Sequence, residues 1–332
     1  LPERFQQWDI RPSFLNRWPL IKRHHQPFLP FYPYAFEYLD LEAYDIVISL
    51  TSAFAHGILT TPDTLHICYC LTPARFLWDY ASYVQREQLG RLTRWLLPLF
   101  ITRLRLWDRV AADRVDQFVG ISQTIQARIA KYYGRDAALI YPPVEIPKTV
   151  PSGKADDYFL SVGRLVPYKR VDLLVKAFNQ LGLPLHVVGD GRDRAALEAI
   201  AAPNITFLGR ISDVELQREY ARCRAFIFPG KEDFGITPVE AQAAGRPVIA
   251  YAAGGALDTV IPGQTGAFFE EQTVKALIKV VSRFDASRYD PDQVHANALR
   301  FSRVRFQEVF SDYVETAASK HIAARKELWH GA

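Results

Sequence analysis

Alternating short apolar runs and amphipathic segments predict an α/β protein built on doubly wound parallel sheets. Three observations carry this expectation. From Asp157 onward, short runs rich in β-branched and aromatic residues recur with helical segments between them. Most of these runs are too continuously apolar to show one face to water, as expected of strands covered by helices on both sides. Most also end in glycine, where a βα loop turns, and such loops at the carboxyl ends of strands are where ligands bind in open α/β sheets.

The later strands read as Tyr158 to Gly163, Leu185 to Gly189, Ile205 to Gly209, Ala225 to Gly230, Pro247 to Tyr251 and Gly266 to Phe269. Between the first two, Lys169 to Leu181 places Val171, Leu174, Val175 and Phe178 on one helical face. The first half is less regular. Asp45 to Leu50, Thr64 to Cys70, Gln117 to Ser122 and Ala138 to Pro143 look like buried strands, with a long helical stretch between Arg75 and Asp116. The proline-rich segment from Tyr141 to Gly153 reads as the domain boundary. The expected division is therefore residues 1–150, residues 151–302, and a last helix within 303–332 that returns to the first domain.

The composition, 49% apolar and 23% charged over 332 residues, is that of a globular protein with two cores. Cys68, Cys70 and Cys223 make an odd count, which argues for reduced thiols in a cytoplasmic protein rather than a disulfide framework. A net charge of +4 is too small to argue for nucleic acid. The longest apolar candidate, Trp95 to Ile101, contains Pro98 and falls far short of the ~20 residues that span a bilayer. The chain opens on Leu1 and contains no methionine, and residues 1–44 lack a leading strand and glycine turn. The expectation is a first domain that lacks its initial strand and helix.

Four segments carry chemistry. In "GKEDFGITPVEAQAAGRPVIAY", Thr237 reads as a helix N-cap, Pro238 as the first helical residue and Glu240 as the third, a capping-box pattern. Glu232 then lies in the preceding loop. Gly235, Ile236 and Thr237 present amides at a positive helix end, which suits phosphate. The competing reading is a capping Glu240 and a solvated Glu232. In "VGRLVPYKRVDLL", Arg164 and Lys169 follow a strand end as two cations suited to a diphosphate, or as plain surface charges. "VVGDGRDRAALE" is a glycine turn without a Walker ending. In "AAGGALDTV", Gly254 and Gly255 suit either close ligand approach or a tight turn.

Together these segments resemble the family-4 retaining glycosyltransferases of the GT-B fold over nearly all of Asp157 to Phe269. The most specific element is the Glu-x7-Glu signature, Glu232 to Glu240, and the nearest subgroup is that of mannosyltransferase-like enzymes of surface-polysaccharide assembly. The resemblance implies two facing Rossmann-like domains and a set of roles. Glu240 would bind the donor ribose and Glu232 the donor sugar. Arg164 and Lys169 would hold the diphosphate, helped by amides near Gly235, Ile236 and Thr237, while Gly209, Arg210 and Ile211 would flank the base. Donor and acceptor would be a nucleotide sugar, GDP-mannose first, and a glycan or lipid-linked hydroxyl. No metal or other cofactor is implied, and "DPD" at Asp290 to Asp292 reads as a turn. Leu71 stands where the family usually carries histidine, while His56 offers either a cleft-facing or a plain strand-end imidazole. A rival reading is a catalytically impaired or non-catalytic nucleotide-binding relative; an epimerase or phosphorylase of the same fold is disfavoured by the signature.

Arg86 to Arg135 holds ten Arg or Lys against four acids, interleaved with Trp95, Leu96, Leu97, Phe100 and Trp107, and "RWPLIKRHHQPFLPFYPY" is similar. This pattern suits either an anionic membrane surface or a solvated basic face over an ordinary core.

Overall fold

The computed structural model describes residues 5–22, 26–79, 91–147 and 155–330. They form two compact units: Leu1–Gly120 with Ile125–Ala138 and Tyr313–Ala332, and Ile121–Thr124 with Leu139–Asp312. The division falls at Ala138, ahead of the proline-rich segment. The reason is local bonding: Val144 N donates to Phe301 O at 2.8 Å, and the Tyr141 hydroxyl donates to Asp258 at 3.2 Å, so these residues pack with the second unit.

The first unit is built on a parallel sheet of β1 (Ile46–Thr51), β2 (Leu65–Cys70), β3 (Gln117–Gly120) and β4 (Ala137–Leu139), in that order. Strand β2 is buried along its whole length. The expectation of a buried β1 fails, because β1 is an edge strand that pairs only with β2 among the described residues. Its Ile46, Ile48 and Leu50 are exposed in alternation, as period-2 geometry requires when one face lacks cover. An apolar run does not tell which strand lies at an edge.

Helices α1 (Arg91–Ala112) and α2 (Gln123–Tyr133) accompany this sheet. The one acid of α1, Asp108, points into the core, where Trp78 Nε1 donates to it at 2.6 Å and the Tyr133 hydroxyl at 2.9 Å. His56 lies 3.4 Å from the same carboxyl and is fully buried, so it is neither the cleft-facing nor the plain strand-end histidine the sequence offered. Burial pushes the Asp108 carboxyl above its ordinary range and the His56 imidazole below. All three cysteines are free thiols and buried.

The second unit carries six parallel strands: β5 (Phe159–Val162), β6 (Leu185–Val188), β7 (Ile205–Gly209), β8 (Ala225–Phe228), β9 (Val248–Tyr251) and β10 (Gly266–Phe269). Their order is β10-β9-β8-β5-β6-β7. Strand alternation splits their side chains between two cores. Phe159, Val187, Ile227 and Ile249 face one cluster with α3 (Val171–Leu181), where Leu174 and Phe178 are fully buried. Leu160, Val188, Phe226, Val248 and Ala250 face the other, with Tyr220 of α4 (Asp213–Arg222) and Ala241 of α5 (Ile236–Ala243). Apolar side chains on both faces explain why these strands read as continuous runs.

The strand order places the reversal of winding between β5 and β8. From β5 the chain winds outward through β6 and β7, then returns to β8 beside β5 and winds the other way. Such a switch point opens a crevice at the carboxyl ends of the two central strands. Farther along, Asp290 caps the helix Pro291–Leu299 by accepting from Asp292 N at 3.0 Å, so "DPD" is a helix start rather than a turn. The last helix, Arg303–His330, enters the first unit at Tyr313, where His321 and Arg325 bond to the Asp63 carbonyl.

Candidate functional site

The switch point brings together the two loops that carry most of the expected site. After β5, Gly163 leads into Arg164 and a 3-10 turn, Pro167–Lys169, and Arg170 then enters α3. Arg170, at φ 56°, is the only non-glycine residue with positive φ among the described residues. Its left-handed backbone is held by bonds from its guanidinium to Asp172 at 3.1 Å and to Gln272 at 3.3 Å. A strained residue over-determined in this way fixes the direction of its neighbour, here Lys169.

After β8 the loop runs through Gly230 and Glu232 to Gly235. Lys169 Nζ donates to Glu232 Oε1, an ion pair between side chains only 16% and 19% exposed. Lys169 also lies 5.6 Å above the Tyr168 ring, whose hydroxyl accepts from Arg164 at 3.0 Å. Gly163, Arg164, Lys169, Gly230 and Glu232 line one small cavity. Arg164 itself is exposed at its rim.

The glycines of these loops serve loop-to-loop packing. A Cβ on Gly189 would lie 1.9 Å from Gly163 O, and one on Gly191 2.2 Å from Leu165 O. Gly254, at φ 68°, would meet Glu232 O at 2.2 Å, and Gly255 would meet Phe234 Cα at the same distance. Of the two readings offered for Gly254 and Gly255, neither ligand approach nor a turn alone suffices. The β9 loop presses on the backbone of the β8 loop and sets where Glu232 stands. Gln272 adds a brace, donating to Pro229 O at 2.8 Å.

The start of α5 corrects the capping-box expectation. The N-cap is Gly235, at φ 91°, with no side-chain cap, so Thr237 is the second helical residue and Glu240 the fifth. Pro238 still costs nothing, because the first four helical N–H groups have no intrahelical acceptor. For the same reason the Ile236 and Thr237 amides stand at the positive end of the helix with the Gly235 amide just before them. The capping box lies instead at Ser212 and Glu215, where the Glu215 amide donates to Ser212 Oγ at 3.3 Å and the Ser212 amide to Glu215 at 2.8 Å. The Ser-x-x-Glu spacing of Ser212 and Glu215 is the sequence signal for it.

Glu240 therefore caps nothing. Its Oε2 accepts from the hydroxyl of fully buried Tyr220 at 2.7 Å. Burial raises the Glu240 pKa, the Tyr220 bond opposes that rise, and the charge of Asp213 adds to it. Glu240 is not among the residues lining the Lys169–Glu232 cavity. Gly209, at φ 67°, ends edge strand β7 and accepts from Gly189 N at 2.8 Å. Arg210 is exposed and Ile211 packs on the second core just before the Ser212 cap. The second unit thus holds two groups: Arg164, Lys169 and Glu232 at the switch point, and Glu240 with Tyr220, near the charge of Asp213. Tyr168, Tyr220 and Gln272 escaped sequence reasoning, since nothing in their spacing marks them apart from ordinary helix and loop residues.

In the first unit, Leu71 is half-buried at the end of β2, its amide donating to Thr51 O at 2.8 Å. On the outward side of α1, Phe100, Arg103, Leu106 and Val110 are exposed. Arg86 and Glu87 of the basic stretch lie outside the described residues, as do the side chains of Trp95, Leu96 and Leu97. No helix among the described residues is long and apolar enough to cross a membrane.

Residues 145–300 match the family model "Glycosyl transferases group 1". The chain is 29% identical over 251 residues to the lipopolysaccharide core biosynthesis mannosyltransferase LpcC of Rhizobium leguminosarum, covering 68% of this chain and 66% of that one. It is 30% identical over 218 residues to a GDP-mannose-dependent α-(1-6)-phosphatidylinositol monomannoside mannosyltransferase of Mycolicibacterium smegmatis, covering 56% of each. The chain thus spans between half and two-thirds of these relatives' length. The crystal structure of Anabaena HepE in complex with UDP and glucose superposes with a TM-score of 0.56 at 19% identity, covering 75% of this chain and 77% of that one. The fold is α/β, of the GT-B type.

Proposed function

We propose that this chain is a retaining glycosyltransferase that moves a sugar, mannose in the first instance, from a nucleoside-diphosphate donor to a hydroxyl of a glycan or lipid-linked acceptor in surface-polysaccharide synthesis. One observation carries the reading: Lys169 and Glu232 meet at the switch point of the second sheet, with Arg164 beside them and a helix N-terminus following. A cation and a carboxylate at such a crevice suit a ligand that offers both a diphosphate and sugar hydroxyls. The names of both relatives favour mannose, and that of the phosphatidylinositol monomannoside enzyme favours GDP-mannose as donor.

On this reading the bond between the sugar C1 and the diphosphate oxygen breaks, and its electron pair stays on the diphosphate. Lys169, Arg164 and the amides of Gly235, Ile236 and Thr237 oppose that growing charge, which is the largest catalytic contribution fixed groups make. They do so without a divalent ion. The acceptor oxygen bonds to C1 on the face the leaving group vacates, and its proton passes to the departing phosphate oxygen. Glu232 accepts from donor-sugar hydroxyls, Glu240 from the ribose, and Gly209, Arg210 and Ile211 flank the base. A thermal-shift panel of GDP, UDP and ADP tests the donor site. A true donor nucleotide at a hundredfold over its Kd should stabilise by about 2.7 kcal/mol, whereas no shift with any of the three would reject the reading.

Leu71, standing where the family resemblance implies histidine, favours a second reading, a nucleotide-binding relative without turnover. Release of nucleoside diphosphate from the sugar donor separates the two.

The acceptor reading extends to the cytoplasmic face of an anionic membrane. Helix α1 shows Phe100, Leu106 and Val110 outward with Arg103, while its single acid is buried. Apolar side chains among cations on an outward helix face suit anionic headgroups. The chain should pellet with vesicles containing anionic lipid and stay in solution with neutral ones; equal behaviour with both would remove the membrane from the reading.

A further inference from the structure

We infer that Tyr220 is a positioning residue that fixes the Glu240 carboxylate for recognition of a ribose diol, and so determines the preference for ribonucleotide over deoxyribonucleotide donors. The inference rests on the reading of Glu240 proposed above and adds a residue that neither the spacing of the signature nor the helix pattern reveals.

Tyr220 is fully buried among Cys223, Phe226 and Val248, so its hydroxyl must find a partner inside the protein. That partner is Glu240 Oε2 at 2.7 Å. The bond joins α4 to α5, two helices whose starts follow the carboxyl ends of β7 and β8. Burial and the nearby Asp213 both disfavour an ionised Glu240, and the Tyr220 hydroxyl works against them. Burial keeps Tyr220 itself protonated, hence a permanent donor.

An ionised carboxylate only accepts hydrogen bonds, at about four lone-pair sites. Tyr220 occupies one on Oε2 and leaves Oε1 with the remaining lone pair of Oε2 for a ligand. What fits is a pair of adjacent hydroxyl donors; a phosphate offers none when ionised and would be repelled. A vicinal diol needs both carboxylate oxygens held in one plane, and without Tyr220 that plane is free to turn about the last side-chain torsion. Tyr220 thus supplies orientation, which matters only for a ligand that uses both oxygens.

The test compares GDP and UDP with their 2′-deoxy counterparts by titration calorimetry on the wild type, Tyr220→Phe, Glu240→Gln and Tyr158→Phe. The Tyr158 hydroxyl donates to Glu219 O at 3.0 Å, so its loss removes a comparable buried bond to α4 without touching Glu240. The wild type should prefer the ribonucleotide by about tenfold or more, Tyr220→Phe by about threefold or less, and Tyr158→Phe as the wild type does. Binding weakened in Glu240→Gln with an unchanged ribose preference in Tyr220→Phe would overturn the role of Tyr220 alone. A loss of preference in Tyr158→Phe equal to that in Tyr220→Phe would overturn it as a general loosening of α4. Binding unaffected in Glu240→Gln, or absent in the wild type, would overturn the donor-site reading and the inference with it.

Discussion

Lys169→Ala is expected to lower kcat/KM for donor turnover by about 100-fold or more, measured as nucleoside diphosphate released, while far-UV circular dichroism stays unchanged. Removing one fixed group that opposes charge on a leaving oxygen costs about 10²–10³ in rate where such groups have been deleted. Here the loss has a second part. Lys169 is the ion-pair partner of Glu232, both mostly buried, so its removal strands a carboxylate at the crevice and lowers stability as well. The double variant Lys169→Ala/Glu232→Gln isolates the stability part, because it removes the stranded charge, while its turnover is lowered on two counts since Glu232 is itself assigned to the donor sugar. Its melting temperature should recover towards the wild type while turnover stays low. Full turnover in Lys169→Ala would show that this lysine is a structural counter-ion and no more.

The second large effect is expected from a single methyl group. Gly255→Ala should destabilise the second unit by about 3 kcal/mol, at the upper end of overpacking costs, and lower its melting temperature by roughly 10 °C. Gly255 has an ordinary helical backbone, at φ −67°, so the substitution carries no conformational penalty of its own. The cost is wholly steric: the new Cβ would lie 2.2 Å from Phe234 Cα and equally close to Phe234 O. Phe234 is itself held between Tyr141 and Phe301, with ring centroids 5.9 and 5.5 Å away, so it has nowhere to retreat. Glu232 precedes Phe234 by two residues, and Gly255 N donates to Glu232 O at 2.9 Å, so donor binding should weaken along with stability. Gly263→Ala offers a contrast, since nothing lies within 4 Å of its Cβ and its φ of 76° supplies the only penalty. A melting temperature for Gly255→Ala within a degree or two of the wild type would contradict the packing account.

What the amino-acid sequence discloses here follows from which forces act locally. The six strands of the second unit were legible because both their faces are buried, which leaves unbroken apolar runs such as Phe226 to Phe228. The loops holding Lys169 and Glu232 were legible as strand ends. Their meeting was not, because it depends on β8 returning to lie beside β5, a choice of strand order that no local pattern records. The start of α5 was misread for a related reason. Thr237 and Glu240 have the spacing of a capping box, but the positive φ of Gly235 and its closeness to the Phe228 ring begin the helix earlier. Tyr220 lies further out of reach still: a tyrosine on a helix discloses its acceptor only once Glu240 stands opposite.

The Lys169–Glu232 pair has a bearing on how the proposed reaction would end. Before any donor arrives the two charges satisfy each other, so an incoming diphosphate must take the ammonium away from its resident carboxylate. A nucleotide still bearing its sugar compensates that carboxylate with hydroxyls; one that has just lost its sugar cannot. The spent nucleotide would then face competition from a side chain a few ångströms away, and the closing of that internal pair would help expel it and ready the crevice for the next cycle.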